Sequence, residues 1–247
     1  MSNKLEIPAK WQQLKSYTKA RVALGNVGTS LPLNDVLALK HAHALAKDAI
    51  LTQLDKEFLK IKAKEHGVLC SEFKSQVEDR LEYLKRPDLG RKLVDASEVE
   101  NIKKVDIVIV ITDGLSATAV NSNSFSVLDG VLPDLKEKFS ICIALVELGR
   151  VAIGDQVAEF YNADFVAVLI GERPGLSSPE SMGIYVTYKP KIGFTDERRN
   201  CISNIHKDGL SSIQAATLLK YLIDRSFALK ISGVELKIDL GAILGDE

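Results

Sequence analysis

Three runs of mainly apolar residues recur along the chain, at positions 105–111, 141–146 and 164–170. In the first run, six of the seven residues are β-branched. Short apolar runs bounded by turn residues suit strands that are covered on both faces, as in a parallel sheet. The segments between the runs have helical character, so the pattern predicts parallel strands joined by right-handed helical crossovers.

A polar loop that contains glycine follows each of these runs. The loops are Asp113-Gly114, Gly149-Arg150-Val151 and Gly171-Glu172-Arg173. Parallel strands bring their carboxyl ends to the same edge of a sheet, so we expect the three loops to line one crevice. That edge is where open α/β sheets usually bind a ligand.

Helical spacing of apolar residues dominates the first 95 residues. It predicts helices over positions 8–24, 35–54, 56–65 and 71–84, and a short helix at 97–103 follows this region. Beyond the third run, the pattern predicts strands at 184–188 and 201–205 and a helix at 211–229. We therefore expect an α/β fold: a helical N-terminal region (1–95) before a Rossmann-like, mostly parallel sheet with flanking helices (96–247).

Composition narrows the class of protein. The 247 residues are 46% hydrophobic and 26% charged, as in an ordinary soluble globular protein. A net charge of −1 argues against a nucleic-acid binder that relies on a basic face. No apolar run approaches the roughly 20 residues of a membrane-spanning helix. Three cysteines without CxxC spacing favour free thiols in the cytoplasm.

Catalytic and metal-binding motifs are missing from the sequence. It has no GxGxxG after the first run, no GxxxxGK[ST] and no HExxH. His41 and His43 are two positions apart and do not face each other on a helix. Asp113 and Ser116 lack the GxSxG context of a nucleophile. Cys201 has no neighbouring base or second cysteine, so on the residues alone we expect a small buried hydrophobic side chain.

The third loop is the strongest candidate for binding. Glu172 and Arg173 follow a buried strand, at the edge where ligands bind. Pro174 and Gly175 fit the central positions of a type II turn. At this point an independent α/β enzyme or nucleotide-binding module that uses Asp113, Glu172 and Arg173 directly stays open.

Four motifs, in order, resemble one family. DGLSATAVN, GRVAIGD, LIGERPGLSSPESMGIY and RNCISNI are similar to stretches of the small (light) subunit of ethanolamine ammonia-lyase, and so are the upstream TKARVALG and RPDLGRKL. The resemblance implies an adenosylcobalamin-dependent enzyme that converts ethanolamine to acetaldehyde and ammonia by a radical mechanism. It also implies a hetero-oligomer, in which a larger TIM-barrel subunit holds the substrate and the catalytic groups. The small subunit would cover the cofactor with its Rossmann-like domain.

The resemblance also implies site residues. The family's cofactor contacts correspond here to Val151 of GRVAIGD, Glu172 of GERPG and Cys201 of RNCISNI. On the same loops we add three further cofactor-binding candidates, which are Arg173, Gly175 and Asp113. No catalytic residue and no metal ligand is assigned to this chain, and residues 1–95 are expected to contact the large subunit.

One cobalamin-binding signature is incomplete in this sequence. Residues 204–209 have the spacing of the Asp-x-His-x-x-Gly signature, whose histidine binds cobalt, but Asn204 stands in place of the aspartate. The family resembled keeps the cofactor's own dimethylbenzimidazole on cobalt, so we expect that His206 is not a ligand.

Some members carry a longer N-terminal extension tied to packaging in a bacterial microcompartment, and this sequence leaves that location open beside the free cytoplasm.

Overall fold

The computed structural model describes residues 9–94 and 104–238, and within them it forms a six-stranded sheet with helices on both faces. The strands are β1 (Leu69–Lys74), β2 (Ile107–Thr112), β3 (Ile141–Glu147), β4 (Phe165–Gly171), β5 (Met182–Tyr188) and β6 (Asn200–Ile205). The helices are α1 (Ala9–Leu14), α2 (Leu33–Leu51), α3 (Lys56–Glu65), α4 (Arg80–Lys85), α5 (Ala117–Leu128), α6 (Leu132–Lys138), α7 (Ile153–Phe160) and α8 (Ser212–Leu229).

The order of the strands is β1-β3-β2-β4-β5-β6. The first four strands are parallel, and β5 and β6 continue the sheet in antiparallel pairing. The three apolar runs are the central strands β2, β3 and β4, and every residue of β2 is buried. The predicted α/β fold with a mostly parallel sheet is therefore confirmed.

Side-chain alternation along β2 separates two hydrophobic cores. Ile107, Ile109 and Ile111 join a core with residues of α3, α5, α6 and α8. Val108 and Val110 point to the other face, where α7 packs. Because both faces of β2 are covered by helices, the strand needs apolar residues at every position, which is the pattern that identified it.

The structure differs from the prediction in the N-terminal region. Residues 71–84 are not one helix: the first of them belong to β1, and Asp79 begins the short helix α4 by accepting a hydrogen bond from the Glu82 N–H at 2.8 Å. The helix predicted over 8–24 is observed only as α1. The helix predicted over 97–103, and the boundary near residue 95, lie at or within a segment outside the described residues, so the division into two domains stays a prediction.

In the described ranges, 9–94 and 104–238, no helix has both the length and the apolar character that crossing a membrane requires.

Candidate functional site

The loops after β2, β3 and β4 meet at the carboxyl edge of the sheet. The Leu115 N–H donates to Gly171 O at 2.9 Å, and the Leu148 N–H donates to Asp113 Oδ1 at 2.7 Å. Ser116 caps the N-terminus of α5 and donates its hydroxyl to Pro179 O at 2.9 Å. The first loop is therefore bonded to both of the others, and the expected convergence of the three loops is confirmed.

A cavity of about 380 Å³ opens between these loops on the face of the sheet that α7 covers. Its wall consists of Tyr83, Leu115, Arg150, Val151, Ile170, Gly171, Glu172, Arg173 and Tyr185. The cavity brings together Val151, Glu172 and Arg173 from the sequence-based candidates. Its size suits a drug-sized ligand or one part of a larger one.

Glu172 connects the loop between β4 and β5 to strand β6 through its carboxylate. The Ser181 hydroxyl donates to Glu172 Oε2 at 2.5 Å, and the Asn204 N–H lies 3.3 Å from Oε1. Glu172 also donates its own N–H to Ser181 O at 2.9 Å. The carboxylate is half-buried, so it can accept a further hydrogen bond from a ligand while the loop holds it in place.

Tyr83 and Arg150 form a second wall of the cavity. The Arg150 guanidinium lies 4.1 Å from the centroid of the Tyr83 ring and donates from Nη2 to Tyr83 O at 2.9 Å. The Tyr83 hydroxyl donates to Gly149 O at 3.1 Å, and burial raises the pKa of Tyr83 above its usual range, so the phenol stays neutral. Tyr83 was missed from the sequence because it reaches the site from α4, outside the strand-and-loop pattern.

Asp113 and Gly175 lie outside the wall of this cavity. Asp113 is 3% exposed, and its carboxylate is bonded to Arg80 and Leu148. Burial raises the pKa of the Asp113 carboxyl, while the Arg80 guanidinium and the Leu148 N–H oppose that rise. Gly175 donates its N–H to Ser178 O at 3.2 Å. Its φ is not positive, so the predicted type II turn is wrong.

Cys201 lies on β6, directly opposite Tyr185 of β5. Residues that are opposite in an antiparallel pair project from the same face of the sheet, so Cys201 continues the surface that Tyr185 begins. The expectation of a buried side chain is wrong, since Cys201 is exposed. β6 is the last strand of the sheet, and no described helix covers it on this face.

Both ring nitrogens of His206 are engaged. Nε2 is 2.9 Å from Asn204 Oδ1, and the Asp208 N–H donates to Nδ1 at 3.2 Å. With Nε2 as the donor and Nδ1 as an acceptor, the imidazole satisfies both contacts and keeps no free nitrogen for a metal. Among the residues that the structure covers, no cluster of three or more His, Cys, Asp or Glu side chains could hold a metal ion.

Comparison with known proteins gives one consistent result. The family model "Ethanolamine ammonia-lyase light chain (EutC)" matches residues 8–237. Similar curated relatives, each named ethanolamine ammonia-lyase small subunit, come from Xanthomonas campestris pv. campestris (strain B100) and Pseudomonas fluorescens (strain Pf0-1). The first is 44% identical over 236 residues, covering 92% of this chain and 87% of the relative. The second is 44% identical over 237 residues, covering 92% and 86%.

A relative from Azotobacter vinelandii with the same name is also 44% identical, over 92% of this chain and 87% of its own. The family match covers the strands, the three loops and the cavity described above. The chain therefore belongs to the ethanolamine ammonia-lyase light chain (EutC) family.

Proposed function

We propose that this chain is the small subunit of an adenosylcobalamin-dependent ethanolamine ammonia-lyase and covers the cofactor at the interface with a catalytic large subunit. The observation that carries the proposal is the cavity at the carboxyl edge of the sheet, which contains Val151 and Glu172 of the motifs that resemble the family. A binding site without a catalytic constellation suits a subunit that holds a cofactor for its partner.

The chemistry of the cavity wall fits a corrin ring. The periphery of cobalamin carries carboxamide groups, which both donate and accept hydrogen bonds, around an apolar ring. The wall offers the Glu172 carboxylate as an acceptor and the Arg150 guanidinium as a donor, between apolar residues such as Val151 and Ile170. Arg150 Nε is a buried donor without a hydrogen-bond partner among the described residues, so the guanidinium has unused donor capacity.

Each candidate residue has a proposed role toward the cofactor. Val151, Glu172 and Arg173 would contact it directly, and Cys201 would contribute packing on the adjoining surface beside Tyr185. Gly175 would shape the third loop. When bound, the cofactor supplies radical chemistry through homolysis of its cobalt–carbon bond, and this chain orients it and excludes water from one side.

The decisive experiment is reconstitution. The purified chain should show no ethanolamine deaminase activity, and mixing it with the co-expressed large subunit and adenosylcobalamin should restore turnover. The reason is that the chain supplies cofactor contacts and the partner supplies the catalytic groups. Acetaldehyde production is the measurement. Turnover by this chain alone would overturn the proposal and favour an independent enzyme.

The N-terminal helices are the proposed contact with the large subunit. On α2, Leu33, Leu37 and Leu51 are 71%, 53% and 59% exposed, and the buried residues of the helix are only Ala46 and Ala49. A helix that leaves large apolar side chains in water is typical of an interface.

Substituting Leu37→Asp should therefore weaken assembly without unfolding the chain. A charge placed in an apolar interface stays desolvated and unpaired, so we expect the complex with the large subunit to dissociate at higher concentrations. Analytical ultracentrifugation measures this dissociation. Lys47→Glu changes the charge of another exposed position on the same helix and serves as the control. Equal assembly of the two variants would count against α2 as the contact.

The proposed location is the cytoplasm. All three cysteines of the chain, Cys70, Cys142 and Cys201, are free thiols, which suits a reducing compartment. A microcompartment within the cytoplasm offers the same redox conditions.

A further inference from the structure

Arg80 and Asp113 form an ion pair between α4 and the first loop of the site. Arg80 Nη2 lies 2.5 Å from Asp113 Oδ2, and Arg80 Nη1 donates to Gly114 O at 2.6 Å. The side chains of Arg80 and Asp113 are only 15% and 5% exposed. The other carboxylate oxygen of Asp113 accepts the Leu148 N–H from the second loop. One ion pair therefore connects α4, the loop after β2 and the loop after β3.

The same short helix holds the second loop at two more points. Tyr83, one turn after Arg80, donates its hydroxyl to Gly149 O and accepts from the Arg150 guanidinium through its carbonyl. The Arg150 N–H donates to Gly90 O at 2.7 Å, in the segment that follows α4. These bonds fix the backbone on the N-terminal side of Val151, which lines the cavity.

The first loop is held in a corresponding way. Arg80 bonds Gly114 O, and the next residue, Leu115, lines the cavity and donates its N–H to Gly171 O. Gly114 has a φ of +53°, and a Cβ there would lie 2.4 Å from Gly171 O. The loop has no room to shift toward β4, so its position depends on the contacts with α4 on the other side.

We propose that the Arg80–Asp113 ion pair is a positioning element of the cofactor site, which sets Leu115 and Val151 against the corrin ring without touching it. The inference rests on the proposed function. Asp113 then acts indirectly. Its carboxylate joins the first two loops to α4, and other residues of those loops form the cavity wall. Arg80 supplies the opposite charge that holds the Asp113 carboxylate against α4.

The competing explanation is that the pair only stabilises the fold. Removing one member of a buried ion pair leaves the other charge unpaired and destabilises a protein, whereas replacing both by apolar residues is often neutral or stabilising. A structural pair and a positioning pair therefore respond differently to the double replacement. Under either explanation stability returns, and the tethers to Gly114 O and to the Leu148 N–H stay lost. Cofactor affinity returns with stability if the pair is only structural, and it stays low if the pair positions the loops.

The test compares Arg80→Met, Asp113→Asn and the double variant R80M/D113L in the complex with the large subunit. Thermal unfolding reports stability, and equilibrium dialysis with adenosylcobalamin reports the dissociation constant. We expect the single variants to lose both stability and affinity. The double variant should recover the melting temperature and still bind adenosylcobalamin roughly tenfold more weakly than the wild type, as is usual when a supporting contact of a site is lost.

Two controls keep the result decisive. Leu135→Ala removes a fully buried side chain of α6 in the opposite core, so it should lower the melting temperature and leave cofactor affinity unchanged. Arg80→Lys keeps the charge but replaces the planar fork that reaches both Asp113 and Gly114, so it should fold and bind with intermediate affinity.

The outcomes separate the two proposals. A double variant, or an Arg80→Lys variant, that binds adenosylcobalamin as tightly as the wild type would overturn the positioning role. A Leu135→Ala variant with the same loss of affinity would also overturn it, because instability alone would then explain the effect. If the wild-type complex fails to bind adenosylcobalamin, the proposed function itself fails.

Discussion

A Gly171→Ala chain should unfold at a clearly lower urea concentration than the wild type. We expect its free energy of unfolding to fall by about 3 kcal/mol, which is the upper end of the usual cost of overpacking. A Cβ at this position would lie 2.0 Å from Ser116 O and 2.6 Å from Asp113 O. Both neighbours are backbone oxygens of the loop between β2 and α5, so neither can rotate away as a side chain could. The first loop would have to separate from β4.

Gly175→Ala is the matched control for this substitution. It lies on the same loop with a φ that is not positive, and the nearest atom to its added Cβ is the Ser178 hydroxyl oxygen at 3.3 Å. We expect its free energy of unfolding to change by no more than about 0.5 kcal/mol, the ordinary range of surface substitutions, so its midpoint stays near that of the wild type. Equal midpoints for the two variants would contradict the close backbone packing of the first and third loops.

Glu172→Ala should weaken the binding of adenosylcobalamin to the reconstituted complex by about tenfold to a hundredfold. A hydrogen bond to a charged group contributes about 1.5–3 kcal/mol, which corresponds to that range of dissociation constants. Among the described residues, the substitution removes the only carboxylate of the cavity wall. Equilibrium dialysis of the complex measures the change directly.

Two neighbouring substitutions separate the loss of a ligand contact from the loss of loop structure. Ser181→Ala removes the hydroxyl that donates to Glu172 but keeps the carboxylate, so it should cost stability and little affinity. Glu180→Ala removes an exposed negative charge from the same loop and should change neither. If Ser181→Ala weakens binding as much as Glu172→Ala does, Glu172 acts by holding the loop.

The central part of the fold follows from local pattern. β2, β3 and β4 are buried on both faces. Because such strands must be apolar at nearly every position, they can be recognised from the sequence without tertiary information. The loops after them could also be predicted, because parallel strands place their carboxyl ends together.

β1 could not be predicted in the same way. Buried and exposed residues do not alternate along β1, and Phe73 is its only buried residue. Among the described residues it is an outermost strand of the sheet, and three of its six side chains, those of Ser71, Glu72 and Lys74, are polar. Such a segment has no apolar periodicity of its own, and its identity as a strand depends on β3, about 70 residues later in the chain.

The surroundings of Asp113 and Cys201 depend on tertiary partners for a similar reason. The Asp113 carboxylate pairs with Arg80, which lies 33 positions earlier in the chain, and no local sequence pattern predicts that pairing. Cys201 alternates between buried Asn200 and Ile202 on β6, so its exposure could be inferred only once β6 was known to be the last strand.

The position of β1 also has a consequence for the exposed edge of the sheet. β1 occupies one whole edge of β3, whose five central residues are buried and mainly apolar. An uncovered β3 would offer unpaired N–H and C=O groups along a hydrophobic strand, which is a template for pairing with other chains and for aggregation. β1 instead places Glu72 and Lys74 at the outer edge. β1 thus removes this pairing template from β3.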